Sequence, residues 1–260
     1  METSLTLAGV FALLGLGLVF GLKHATEVDH VVAVSTIVSE HRNLFRSVLV
    51  GGLWGAGHTA TLVLVGVAVL GFRVAIPLPV ANWLEFGVAL MIIGLGVLAL
   101  AKVLRRRAGL HVHRHLHQHT PEGESHVHVH FHERETQHKA QAAPPAQIPH
   151  SHAIARLGFK PLLVGAMHGL AGSAALTLLV LTQIQSVWVG ILYLTLFGLG
   201  STVGMLLMSG LIGLPFALSG RRLSGFNYGL QAIAGAASIA FGCWYAYQTS
   251  VVNSLWRGLP

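Results

Sequence analysis

The sequence predicts an all-α polytopic membrane protein, with about six transmembrane helices in two inverted three-helix repeats and interrupted helices. Three observations carry that expectation. Of 260 residues, 53% are hydrophobic and 10% charged, with a mean hydropathy of +0.66; an ordinary soluble domain carries about 25% charged residues. The apolar residues gather into runs near the ~20 residues that a bilayer requires. Segments of the two halves also match at nearly one offset. This composition disfavours a soluble enzyme or a disordered chain. With Cys243 as the one cysteine, it excludes a disulfide scaffold and a multi-cysteine metal site.

The spans run approximately from Ser4 to Leu22, Val48 to Phe72, Asn82 to Leu104, Pro161 to Ile184, Val187 to Leu218 and Phe226 to Thr249. The last but one follows a polar turn at Gln183-Ile184-Gln185-Ser186. Met1-Glu2-Thr3-Ser4 has no basic n-region, so the first run reads as a retained span rather than a signal peptide. Thirty-one glycines suit close helix packing in lipid.

Charge then sets orientation. The net charge is +7, but the basic residues lie at the ends of apolar runs and form no nucleic-acid module. Lys23, Arg42 and Arg46 follow the first span, the cluster Lys102, Arg105, Arg106 and Arg107 the third, and Arg221 and Arg222 the fifth. Arg73 and Arg257 fall on the other side. By the positive-inside rule both termini face outward from the cell inner membrane, and the central loop is cytoplasmic. The chain divides into a first membrane repeat (1–104), a histidine-rich loop (105–157) and a second membrane repeat (158–260). The loop holds His111, His113, His115, His117 and His119, then His126, His128, His130 and His132, and has too few apolar residues to bury a core. Disorder is expected there. Period-two imidazoles suit loose metal binding, so the loop reads as a collector that concentrates metal without selecting it.

The halves align as follows. Gly21-Leu22-Lys23-His24, with Asp29 beyond it, matches Gly165-Ala166-Met167-His168 with Ser173 at an offset of 144. Gly55-Ala56-Gly57-His58-Thr59 matches Gly198-Leu199-Gly200-Ser201-Thr202 at an offset of 143. Three spans per half make the copies inverted, an arrangement in which transporters form sites from interrupted helices at the repeat interface.

The strongest cluster is His24-Ala25-Thr26-Glu27-Val28-Asp29-His30: two imidazoles and two carboxylates in seven residues at a membrane boundary. Imidazole suits nickel, cobalt, zinc and copper. On one regular helix Asp29 would lie about 140° and His30 about 240° from His24, so a break between Gly21 and His30 is expected. The competing reading is a solvated, salt-bridged helix end. His58 within the second span and His168 within the fourth read as further ligands, or else as satisfied interhelical histidines. Thr59, Ser173, Ser201 and Thr202 are candidate pathway-lining residues. Glu85 reads as a snorkelling interfacial carboxylate, with an inlet or exit residue as the alternative. His132-Glu133-Arg134-Glu135 lacks the second histidine of a zinc-protease helix, and there is no P-loop.

His24 through His30 resembles the signature of the nickel/cobalt transporter family: a histidine, four residues, then Asp-His. Gly57-His58-Thr59 is similar to that family's second motif. His168-Gly169-Leu170-Ala171-Gly172-Ser173-Ala174 resembles its urease-accessory branch, and a histidine-rich loop between halves is similar to one in exporters of the superfamily. The resemblance implies a non-enzymatic carrier of nickel or cobalt, with no permanently bound cofactor. Ser173, Ser201 and Thr202 stand where uptake members carry acids, and the expected six spans are fewer than their eight, so the direction stays open. The expected metal site comprises His24, Glu27, Asp29, His30, His58 and His168. Expected partners are divalent metal ions, membrane lipid and a cytoplasmic metallochaperone. Efflux, a haem-binding electron-transfer protein, and a hydrolase pairing Ser173 or Ser201 with His168 or His58 are the alternatives.

Overall fold

A computed structural model describes residues 7–41, 43–74, 76–107, 111–117, 126–132, 159–172, 184, 186–218 and 224–252. Its described membrane part is helical, apart from the break at residues 25–27 and the connections between helices. Helix α1 (Leu7–His24) stops at a break over residues 25–27, and α2 (Val28–Val38) leaves it at 54°. Local hydrogen bonds build the break. The backbone N–H groups of Thr26 and Glu27 donate to the carbonyls of Lys23 and His24 at 2.9 and 3.0 Å, tightening the last turn. The Thr26 hydroxyl also donates to the Lys23 carbonyl at 2.6 Å. Glu27 is extended, with φ −65° and ψ 149°, and α2 restarts from it in a new direction. The expected break is therefore present, and α2 occupies part of the stretch between the first and second expected spans. Tertiary packing explains that difference, because α2 buries His30, Ala33, Val34, Thr36 and Val38 among α4, α6 and α7.

Helix α3 (Leu44–Phe72) is capped by Asn43, whose side chain accepts the Arg46 N–H, and it ends at Arg73 in the left-handed region, φ 52°. Then follow α4 (Leu78–Arg107), α5 (159–172), α6 (Val187–Leu218) and α7 (Ser224–Tyr247), which runs into a π-helical turn, Gln248–Val252. Among the described residues, α3, α4 and α6 are long and apolar enough to cross a membrane, and α1 with α2 makes a fourth span if the bent pair counts as one. A six-span count needs α5 and α7 as well.

The loop expected to be without structure contains a hairpin, β1 (His111–His117) paired antiparallel with β2 (His126–His132). Histidine alternates with valine, leucine, phenylalanine and arginine here, and that period of two is the strand period. The register sets His111 opposite His132, His113 opposite His130, His115 opposite His128 and His117 opposite His126. His119 lies outside the described residues.

Helix α6 carries α1 along one side and α3 along another; α4 pairs with α7, and α2 is wedged among α4, α6 and α7. Val34, Val50, Trp54, Ile92 and Met205 are fully buried between them. The outer faces remain apolar, with Phe72, Trp188 and Leu218 among the exposed side chains. Lipid offers no hydrophobic drive between helices, so close backbone approach and interhelical hydrogen bonds must hold the bundle. Gly21 lies against the Phe197 carbonyl and Gly169 against that of His58, where a methyl group would overlap the neighbouring backbone. The Thr59 hydroxyl on α3 donates to the Gly198 carbonyl on α6 at 2.7 Å, and Gln231 on α7 donates to the Ser39 carbonyl at 2.5 Å.

Candidate metal centre

Four elements bring imidazoles to one place. His24 ends α1, His30 sits in the first turn of α2, His58 lies near the middle of α3, and His168 belongs to α5. Without the break, His24 and His30 would point to different sides of one helix. With it, their ring centroids are 4.4 Å apart. His58 stands 5.2 Å from His24 and 5.4 Å from His30, and His168 stands 4.1 Å from His30. One ligand atom from each of His24, His30 and His58 falls within 4.8 Å of the others, and the same holds for Asp29, His30 and His168. His30, His58 and His168 are buried. Of the residues that a solvated helix end would comprise, Lys23 and Glu27 are exposed, whereas His30 is buried.

The carboxylates orient the rings. Asp29 accepts the Nδ1–H of His30 on Oδ1 at 3.1 Å and the Nε2–H of His168 on Oδ2 at 2.8 Å. Glu27, half exposed, accepts the Nδ1–H of His24 at 3.0 Å. Each bond selects a tautomer and leaves the opposite ring nitrogen with a free lone pair. Those nitrogens, His24 Nε2, His30 Nε2 and His168 Nδ1, are buried without a hydrogen-bond partner, as are both nitrogens of His58. An orphaned buried polar group costs about 1–3 kcal/mol. Of these residues, His24, His30 and His58 bring one ligand atom each within 4.8 Å of the others, a set that could hold a borderline metal ion, and a carboxylate behind an imidazole is the usual support of such a set.

Aromatic walls enclose the cluster. Trp54 stacks on His30 at 6.2 Å and lies 5.8 Å from His168, and Phe197 lies 5.3 Å from His24. Neither was singled out in the sequence, although Trp54 precedes His58 by one turn as Phe197 precedes Ser201, and the two match in the repeat. A cavity of about 410 Å³ reaches the centre, lined by His24, Glu27, Asp29, His30 and His168 together with Lys23, Glu85, Tyr193 and Tyr245. His58 lies behind His24 and His30, outside the described lining. Of the candidate pathway residues, Thr59 and Thr202 bond to each other at 2.8 Å between α3 and α6. Ser201 is buried with no partner for its hydroxyl, so no base activates it among the described residues. Ser173 lies outside the described residues. Glu85, read as interfacial, faces the cavity.

Apolar outer faces, a broken helix and a buried histidine cluster define a multi-pass membrane protein with a polar site inside its bundle. Over 248 residues the chain is 35% identical to the urease accessory protein UreH of Bacillus sp. (strain TB-90), covering 95% of this chain and 96% of the relative. It belongs to the UreH family of urease accessory proteins, the branch its His168 motif resembles. The relative is named for an accessory role, in keeping with a protein that is not an enzyme. No protein-family model and no solved structure matches the chain.

Proposed function

We propose that the chain transports a divalent transition-metal ion, nickel or cobalt first, across the cell inner membrane. In this reading His24, His30 and His58 hold the ion, and Glu27 and Asp29 orient the rings. Asp29, His30 and His168 make a second cluster of ligand atoms that shares His30, and there an ion would have to displace the protons the two imidazoles now give Asp29. The observation that carries it is the convergence of orphaned imidazole nitrogens from separate elements at a break in a membrane helix. Neutral nitrogen donors favour late first-row ions over magnesium or calcium, which take oxygen ligands. The resemblance of His24 through His30 to the nickel/cobalt signature chooses among those ions.

Reciprocal contacts support two inverted repeats. Gly21 abuts the Phe197 carbonyl while Gly165 abuts that of Trp54, and Gly57 abuts the Leu162 carbonyl while Gly200 abuts that of Leu18. Each partner maps onto its counterpart at the 143 or 144 offset. With six spans, the termini lie outside. The hairpin and its flanks then lie in the cytoplasm as a metal collector, where a metallochaperone would meet the ion. The haem alternative finds no support, because His30 and His168 centroids at 4.1 Å leave no slot for a porphyrin between them.

Radiolabelled nickel and cobalt flux in proteoliposomes tests the reading. His24→Ala and Asp29→Ala are expected to lower flux at least about 10-fold, the lower bound for disturbing a metal's outer support. Unchanged flux in both rejects the site, and the sign of net movement separates uptake from efflux.

A further inference from the structure

The cavity wall holds a carboxyl side chain that the imidazole centre leaves unused. Glu27, Asp29 and Glu85 line it together with a single cation, Lys23, in the described lining. Glu27 and Asp29 are committed to imidazoles. Glu85 is not: no hydrogen bond or ion pair reaches its carboxylate among the described residues. It sits on α4 one turn from Val88, also in the wall, within an apolar helix. A carboxylate inside a membrane helix that faces a cavity marks an ion path.

Two further observations say what passes. His30 and His168, with side chains only 1% and 3% exposed, line the same cavity, and His30 Nε2 and His168 Nδ1 are without partners. At about 410 Å³ the space holds an ion with waters still attached, since each water needs roughly 30 Å³. Direction follows from the helices. Glu85 lies toward the start of α4, away from the end that carries Arg105, Arg106 and Arg107. Tyr193 lies early in α6 and Tyr245 late in α7, whose Gly242 packs on Ala89 of α4.

We propose that Glu85 is a transit station: a lone carboxylate that receives a hydrated divalent cation from the membrane face opposite the Arg105–Arg107 end and passes it to the buried imidazoles. This rests on the transport reading. The carboxylate attracts the ion through its own charge and surrenders it readily, because it supplies one hard oxygen group where the next position supplies several nitrogens. The imidazoles set how tightly the ion is finally held; Glu85 sets how fast it arrives.

Two measurements on the full-length protein test this with nickel chloride as the probe. Equilibrium nickel binding in detergent should change less than about twofold in Glu85→Gln, while the KM of initial flux in proteoliposomes should rise about tenfold, the low end of the gain from a focusing charge. Glu85→Asp should restore most of the loss. An unchanged KM overturns the proposal, and so does binding that weakens in step with KM, which would make Glu85 a ligand or a structural prop. The second measurement does not depend on flux. Tyr245→Cys in a Cys243→Ser background should react with a membrane-impermeant thiol reagent applied to whole cells, and nickel should slow that reaction. Labelling only from the cytoplasmic side, or no protection by nickel, overturns the assigned path. Protection without any wild-type flux would reject transport while leaving the cation site at Glu85 in place.

Discussion

The Oγ1 atoms of Thr59 and Thr202, 143 positions apart, meet at 2.8 Å between α3 and α6. Thr59 also closes on Gly198 while Thr202 closes on Gly55, so the contact is reciprocal. A Thr59→Val, Thr202→Val double-mutant cycle is expected to give a coupling of about 0.6 kcal/mol, and at most about 1.7, as interhelical hydrogen bonds in membranes do. Reversible unfolding in mixed detergent measures it. Zero coupling would mean that the glycine contacts alone position α3 against α6.

Asp29 and Glu27 differ in what they hold. Asp29 spans His30 and His168, whereas Glu27 supports His24 alone from a half-exposed position. Asp29→Asn should therefore weaken nickel binding about 10–100-fold, the range for losing a ligand's supporting carboxylate. Glu27→Gln should cost less, because water can replace its bond. Isothermal titration of both variants checks the order, and a larger effect from Glu27→Gln would contradict the geometry.

At Gly169 the backbone of α5 rests against the His58 carbonyl. Gly169→Ala should force α3 and α5 apart, destabilising the protein by about 1–3 kcal/mol as overpacking does. The melting temperature in detergent should fall, and nickel affinity with it, since His58 and His168 sit on the two separated helices. Gly15, with nothing near the position of an added methyl, is the control: Gly15→Ala should leave both unchanged.

Deleting residues 111–132 tests the collector. Flux at saturating nickel should stay within about twofold of wild type, while accumulation from scarce nickel should fall, because a collector changes local concentration and leaves the transport site intact. Abolished flux at saturating nickel would place the loop in the transport step itself.

Much of the centre is legible in the chain. The spacing of His24, Asp29 and His30 does not fit one helical face, so a break follows from helix geometry alone, and the structure has it at residues 25–27. His58 and His168 stand out because imidazole inside an apolar run is costly unless it is used. Other parts are not legible. Residues 28–38 fall outside the expected spans, and their helix is held by burial against α4, α6 and α7. Trp54 and Phe197 look like any apolar residue of a span until the α3–α6 and α1–α6 packing turns them toward the imidazoles. Glu85 reads as an interfacial carboxylate because its depth along α4 is visible in the sequence and its facing is not.

Composition and periodicity alone therefore determined a helical membrane protein with imidazole side chains inside its apolar runs, since both are properties of single segments. The tertiary structure decided which imidazoles meet, which carboxylates hold them and which acid is left free in the cavity. Those outcomes depend on helix crossings set by glycine contacts far apart in the chain, and no local pattern encodes a crossing.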